Sequence, residues 1–388
     1  MRSRTASAIR RNPVYTRQTV ASIFAGDLHA RRVESLANSV TGVLRAASLS
    51  IHAIGRGYAQ ATAGSRKHGV KQVDRLLSND GLDVWRLFAP WVQFVVGDRA
   101  EMVVALDWTE FDGDGHATLS AQQLTGHGRS TPLVWLTVPK ATLKGQRNEY
   151  EYRVIERLHE CVAPTTRITV LADRGFGDQK LYRYLEALGW DYVIRFRGNI
   201  LVEDATGTAR PAADWLPPSG RATRLRDVRV TGERAEVPAV VVVRAKGMKE
   251  PWCLATSRRD DTAVAIVKLY GRRFTIEESF RDTKDMRFGL GLSATHIGTP
   301  ERRDRLLLIA AIAQALLTLL GAAGEACGLA RTLKTNTSAK RQLSLFNQGV
   351  YWYGAIPEMR IEWLRKLMDA FDAEVNRHAI FREVFGVI

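Results

Sequence analysis

Between residues 98 and 198 short apolar runs alternate with amphipathic stretches. Met102-Val103-Val104-Ala105-Leu106 and Ile168-Thr169-Val170-Leu171-Ala172 are strand-like runs, the first of a set predicting strands near 101–108, 116–124 and 132–138, then 168–172 and 190–196. Between the first two lies Phe111-Asp112-Gly113-Asp114-Gly115, a hairpin turn whose aspartates lack the spacing of a calcium loop. Helical periodicity predicts helices near 147–161 and 178–188. Residues 1–97 read as helical, and 322–388 as mostly helical, with Trp352, Trp363, Leu364, Leu367, Met368 and Phe371 as one apolar stripe suited to a core or a dimer contact. In 199–258 Pro211, Pro217, Pro218 and Gly220 break the pattern, and Val228–Val230 and Val237–Val243 read as strands. Leu306 to Leu320 is the most apolar segment. At 15 residues with Gln314 inside, it predicts a buried core helix rather than a membrane span.

Two of the apolar runs end on an acid: Asp107 follows Leu106, and Asp173 follows Ala172. A third acid, Glu277, lies in Tyr270-Gly-Arg-Arg273-Phe-Thr-Ile-Glu277-Glu-Ser-Phe-Arg-Asp-Thr-Lys284. On one continuous helix the offsets of 3, 7 and 14 fall within roughly 60° of each other, so Tyr270, Arg273, Glu277 and Lys284 share a face, with Leu269, Ile276 and Phe280 beside it as a docking stripe. A solvated face with an (i, i+4) Arg–Glu pair would give part of this spacing, but a tyrosine in the row is unusual for it. Two aspartates at strand ends and a glutamate on a helix make an oxygen-donor set for two Mg²⁺ ions, with Mn²⁺ able to substitute.

The Y-x-x-R-x-x-x-E-x-x-x-x-x-x-K row, with Leu106-Asp107-Trp108-Thr109 and Ala172-Asp173-Arg174-Gly175-Phe176, resembles the signature of the insertion-sequence-four family of DDE transposases over roughly residues 100–320. The resemblance implies an RNase H-like core of mixed α/β class, and three meander strands followed by helix, strand, helix, strand is the order of such a core. It implies Asp107, Asp173 and Glu277 as catalytic metal ligands, and Tyr270, Arg273 and Lys284 as phosphate contacts. The separation of 104 positions from Asp173 to Glu277 is too long for a plain connection and matches the β-rich insertion of that family. Trp252-Cys-Leu-Ala-Thr256 matches the family segment whose tryptophan stacks on a flipped base, although a buried strand aromatic would look the same. The implied activity is cut-and-paste DNA transposition by way of a hairpin intermediate. An RNase H-like nuclease without strand transfer, and an inactive DNA-binding repressor descended from a transposase, are the alternatives.

Charge agrees with a polyanionic partner. The chain has 56 Lys+Arg against 41 Asp+Glu, a formal charge of +15, and an isoelectric point near 10. Residues 1–80 carry 13 basic and 4 acidic side chains. Within them Gly69–Leu77 reads as a recognition helix after a glycine-containing turn, with Lys71 and Arg75 four apart on one face, or else as a surface helix of a bundle. Met1 to Ser22, rich in Arg and Ser and free of acids, reads as a DNA-contacting arm, though a transit peptide has similar composition. Cys161, Cys253 and Cys327 form no C-x-x-C pair, which suits a reducing compartment.

Serine-nucleophile, zinc-helix and phosphate-loop motifs are all missing, so ATP is not expected. The expected layout is a DNA-binding domain at 1–97, core at 98–198, insertion at 199–258, core with the catalytic helix at 259–324, and a helical region at 325–388 for possible dimerisation. Expected partners are the terminal inverted repeats and target DNA, with a homodimer in the synaptic complex. Expected surroundings are the bacterial cytoplasm, near the nucleoid and away from membrane.

Overall fold

The computed structural model describes residues 14–376 except 336 and 339. The basic arm read over residues 1–22 therefore lies outside the described residues as far as 13. Its remainder opens helix α1 (Val14–Phe24).

Helices α1, α2 (Ala30–Ala46), α3 (Ile51–Ala61), α4 (Arg66–Leu77) and α5 (Val84–Val96) come first. Three strands follow as a meander: β1 (Glu101–Phe111), β2 (His116–Leu124) and β3 (Ser130–Pro139). The expected turn between β1 and β2 is present as a single 3₁₀ turn over Asp112–Asp114, closed by Gly115 at φ 63°. Then come α6 (Arg147–Cys161), β4 (Arg167–Ala172), α7 (Gln179–Ala187) and β5 (Asp191–Phe196), the order expected of an RNase H-like core.

Strands β6 (Leu201–Glu203), β7 (Ala209–Pro211), β8 (Thr223–Val230), β9 (Ala235–Val243) and β10 (Trp252–Thr256) occupy the region read as an insertion. They do not build a sheet of their own. All ten strands form one sheet in the order β3-β2-β1-β4-β5-β10-β9-β8-β6-β7. Only β1-β4 and β4-β5 are parallel, and β10 joins the two halves by pairing antiparallel with both β5 and β9.

The sheet separates two apolar layers, as period-two alternation requires. Met102, Val104 and Leu106 face a large core shared with the N-terminal helices, α6 and α10 (Pro300–Ala326). Val103 and Ala105 face a smaller core with Ile266, Tyr270 and Ile276. Those last three come from α8 (Ala263–Gly271) and α9 (Thr275–Lys284). Two further helices, α11 (Leu345–Ala355) and α12 (Ile361–Asn376), close the C-terminal side. Of the expected apolar stripe there, Trp352, Leu364, Leu367 and Phe371 are buried, whereas Trp363 is exposed.

Helix α10 extends well beyond the predicted apolar run. Thr299 caps it by accepting from the Arg302 amide, and Pro300 takes the first turn. It is long and apolar enough by composition to cross a membrane, yet 83% of its most apolar window is buried inside the fold. Its opening charges tie parts together. Arg302 pairs with Asp74 of α4 at 2.7 Å. Arg305 donates to the Leu77 and Leu82 carbonyls. Arg303, fully buried, pairs with Asp114 of the hairpin turn and lies 3.8 Å from the Phe111 ring centroid.

Candidate active site

The strand register brings two of the acids together. In the parallel pair β1–β4, Leu106 stands opposite Ala172. Asp107 and Asp173 are each the next residue, so they lie side by side where the β1–β4 pairing stops, about 5 Å apart at the backbone. Asp173 leaves the end of β4, whereas Asp107 is inside β1, which runs on to Phe111 paired with β2, so the strand end expected at Asp107 is corrected. Alternation sets their direction. Asp107 continues the series Val103, Ala105, and Asp173 continues from Leu171, so both face the layer occupied by α8 and α9. Glu277 lies in the first turn of α9, whose Ile276 packs into that layer.

At the centre is Arg273, 6% exposed. Its Nη1 donates to Asp107 Oδ2 at 3.1 Å and its Nη2 to Glu277 Oε1 at 2.9 Å. Asp107 Oδ1 accepts from the Trp108 amide at 2.9 Å, and Asp173 Oδ1 accepts from the Gly175 amide at 2.8 Å. Burial pushes the Asp107 carboxyl up to about 6; Arg273 opposes the rise, while Asp173 and Glu277 add to it by like-charge repulsion. Burial works against the charge on Arg273, but Tyr270 and the three acids more than offset it, and its pKa is raised.

Hard oxygen donors that repel one another fit a divalent cation. Among the described hydrogen bonds Asp173 uses only Oδ1 and Glu277 only Oε1, which leaves Oδ2 and Oε2 for a ligand. Among the described residues no three acidic, His or Cys side chains form a ready-made metal-binding group. The carboxylates are gathered around a guanidinium, and a cation would have to share Asp107 and Glu277 with Arg273.

The row read as one helical face holds at its centre, where Arg273 and Glu277 pair four residues apart, but the helix changes type within it. The chain passes from α8 through a 3₁₀ turn at Arg272–Phe274 into α9, so the single continuous helix expected from the spacing is corrected. Tyr270 is 1% exposed and belongs to the smaller core, where burial pushes its phenol up to about 12. Its buried phenol interacts with Arg273. Lys284, half-buried at the far end of α9, donates to Thr109 Oγ1 at 2.9 Å and to the Glu110 carbonyl at 2.8 Å. Trp252, at the start of β10, is partly exposed. Its ring meets Tyr270 edge-on at 5.0 Å and Phe274 in a stack at 5.9 Å.

Lys71 and Arg75 are far from this cluster in sequence, exposed on α4. That helix begins at Arg66, where Ser65 accepts from the His68 amide. Gly69 lies inside it, against the Gly55 carbonyl of α3. The glycine thus permits a close helix crossing, and the glycine-containing turn expected ahead of the helix lies at Thr62–Ser65, with Gly64 inside it.

One residue escaped the sequence reading. Glu151 of α6 is 3% exposed. It accepts from Trp108 Nε1 at 2.9 Å and from Arg147 Nε at 3.2 Å. Trp108 adjoins Asp107 and points to the opposite face of the sheet, so α6 braces β1 from behind. A signal existed: Glu151 is spaced for the same helical face as Val154, Ile155 and Leu158.

Residues 98–316 match the family model described as the transposase DDE domain. No curated protein matches the chain.

Proposed function

The chain belongs to the transposase DDE domain family, and from that premise we propose that it cuts DNA at the ends of an insertion sequence and joins the freed ends to a target. The observation that carries this reading is the β1–β4 register, with Asp107 and Asp173 adjacent where that pairing stops, on the face where Glu277 docks. In this reading those three carboxylates are the catalytic set of an insertion-sequence-four-like enzyme. A divalent cation bound there, Mg²⁺ with Mn²⁺ as substitute, would polarise the phosphodiester and lower the pKa of bound water.

Arg273 fixes the carboxylates in orientation and keeps three acids tolerable in one place. Water attacks the phosphodiester, the leaving strand keeps the 3′-OH, and that hydroxyl then attacks a phosphodiester of the opposite strand or of target DNA. Each joining step forms one bond for the one it breaks, so no ATP is needed. Attack on the opposite strand gives a hairpin, and Trp252 with Phe274 offers an aromatic platform for the base displaced at its tip. Lys284 would hold a phosphate of the flanking strand, sharing its ammonium with Thr109 and Glu110.

The N-terminal helices, with Lys71 and Arg75 exposed on α4, would read the terminal repeat, while the core acts on whatever sequence lies at the cut. Two ends must be handled together, so a homodimer is proposed for the synaptic complex, in the cytoplasm beside the nucleoid. The layout expected from sequence serves as the working division into domains.

The test incubates the protein with Mg²⁺ and DNA carrying the repeats that flank its coding segment, beside Asp107→Asn, Asp173→Asn and Glu277→Gln variants. Expected are cleavage with strand transfer by the unaltered protein, and DNA binding without cleavage by the variants. Cleavage without joined product would make it a nuclease. A variant that cuts at near-normal rate would overturn the triad.

A further inference from the structure

Arg147, the first residue of α6, lies on the side of the strand ends away from Arg273. Its Nε donates to the buried carboxylate of Glu151. Its guanidinium carbon stands 5.3 Å from the Trp108 ring centroid and 6.0 Å from that of Phe176. Trp108 follows Asp107, and Phe176 lies three residues past Asp173, so Arg147 touches both aspartate-bearing segments. At Gly175 a Cβ would come within 3.0 Å of Asp173 Oδ1 and 3.4 Å of Arg147 Nη2. The absent side chain leaves the guanidinium next to Asp173 and open. The side chain is 44% exposed, and among the described residues its two Nη groups make no hydrogen bond.

An arginine bonded through its Nε and set against two aromatic rings has fewer rotamers to lose when a ligand arrives. Its free edge is the planar fork that matches two phosphate oxygens. Beside a carboxylate cluster such a cation does not bind metal; it suits the anion that comes with the metal. We propose that Arg147 is a substrate-binding residue that grips a backbone phosphate of the DNA strand crossing the sheet where the β1–β4 pairing stops, with Glu151, Trp108 and Phe176 as its positioning residues. The strand would then pass between Arg147 on one side of the sheet and the Arg273–Glu277 pair on the other. This inference rests on the transposase reading.

The experiment measures binding of a fluorescent duplex carrying the flanking repeats to the full chain in an Asp107→Asn background, across a salt series. Arg147→Ala should bind roughly ten-fold more weakly at low salt. The slope of log affinity against log salt should flatten by about one, because one phosphate contact is lost. Arg147→Lys should restore the slope but not the affinity, since an ammonium can neither stack nor fork. Glu151→Gln should leave the slope intact and lose a smaller part of the affinity. A purely structural role would lower stability and leave the slope alone. Arg147→Ala with unaltered affinity and slope, in a protein that does cut and bind, overturns this inference and spares the transposase reading. Failure of the unaltered protein to bind or cut the DNA removes both. If the alanine variant does not fold, Arg147→Gln provides the neutral comparison.

Discussion

Glu151→Gln tests whether the brace behind β1 carries a proton. Burial pushes this carboxyl from 4.5 to about 7, against the opposing pull of Trp108 and Arg147. A shift of that size corresponds to about 3 kcal/mol between the two protonation states, an upper bound because Arg147 is partly solvated. The sign follows from the direction. A raised acid binds its proton more tightly in the fold, so its contribution is fully present below pH 4.5 and is lost as pH rises through about 7. Near pH 6 this site holds almost one proton more in the folded chain than in the unfolded chain, which contributes a fall of about 1.2 kcal/mol per pH unit. Glutamine keeps an acceptor for Trp108 Nε1 and cannot ionise. The variant should therefore gain on the unaltered protein by about 2–3 kcal/mol between pH 5 and 8. Urea midpoints measured at several pH values, converted with a common slope, give the difference curve. Parallel curves for the two proteins would refute the reasoning and mean that Glu151 is ionised throughout, with Arg147 as its counter-ion.

Other expectations follow from packing, burial and charge. In Gly349→Ala the new Cβ would meet the Leu317 carbonyl of α10; backbone cannot step aside as a side chain can, so roughly 1–3 kcal/mol should be lost, read as a lower thermal midpoint. Burial pushes the thiols of Cys161 and Cys253 up to about 11, so a thiol reagent at neutral pH should label them only slowly in the native chain and all three cysteines promptly once it is unfolded. Lys71→Ala and Arg75→Ala should each cost roughly 1–3 kcal/mol of repeat binding if they read bases, or weaken all sequences alike if they touch only phosphate, as a competition gel shift would distinguish.

What could be read from the sequence was local. The apolar runs before Asp107 and Asp173 lie in β1 and β4, although β1 continues past Asp107 to Phe111, and α6 spans Arg147–Cys161 much as its periodicity predicts. What could not be read depended on partners distant in the chain. The turn at Arg272–Phe274 leaves no mark, since Leu269, Ile276 and Phe280 keep helical spacing across it. Tyr270 is a core residue because Trp252 and the sheet cover it. Glu151 looks like one more surface acid among Glu149, Glu156 and Glu160 until β1 places Trp108 over it. The joining of the insertion strands to the core sheet rests on pairings such as Cys253 with Phe196, which no local pattern encodes.

That joining sets an order of assembly. β5 has an unpaired edge until β10 arrives, although β6 to β9 are made in between. β10 is followed almost at once by α8 and α9, which carry Arg273 and Glu277. A chain that ends short of residue 252 has the two aspartates but an open sheet edge, the kind of edge that invites pairing with another molecule. Closing the edge and delivering the third carboxylate are therefore one late event in the life of the chain. An unfinished copy cannot gather all three carboxylates around Arg273, because Arg273 and Glu277 follow directly on the strand that completes the sheet.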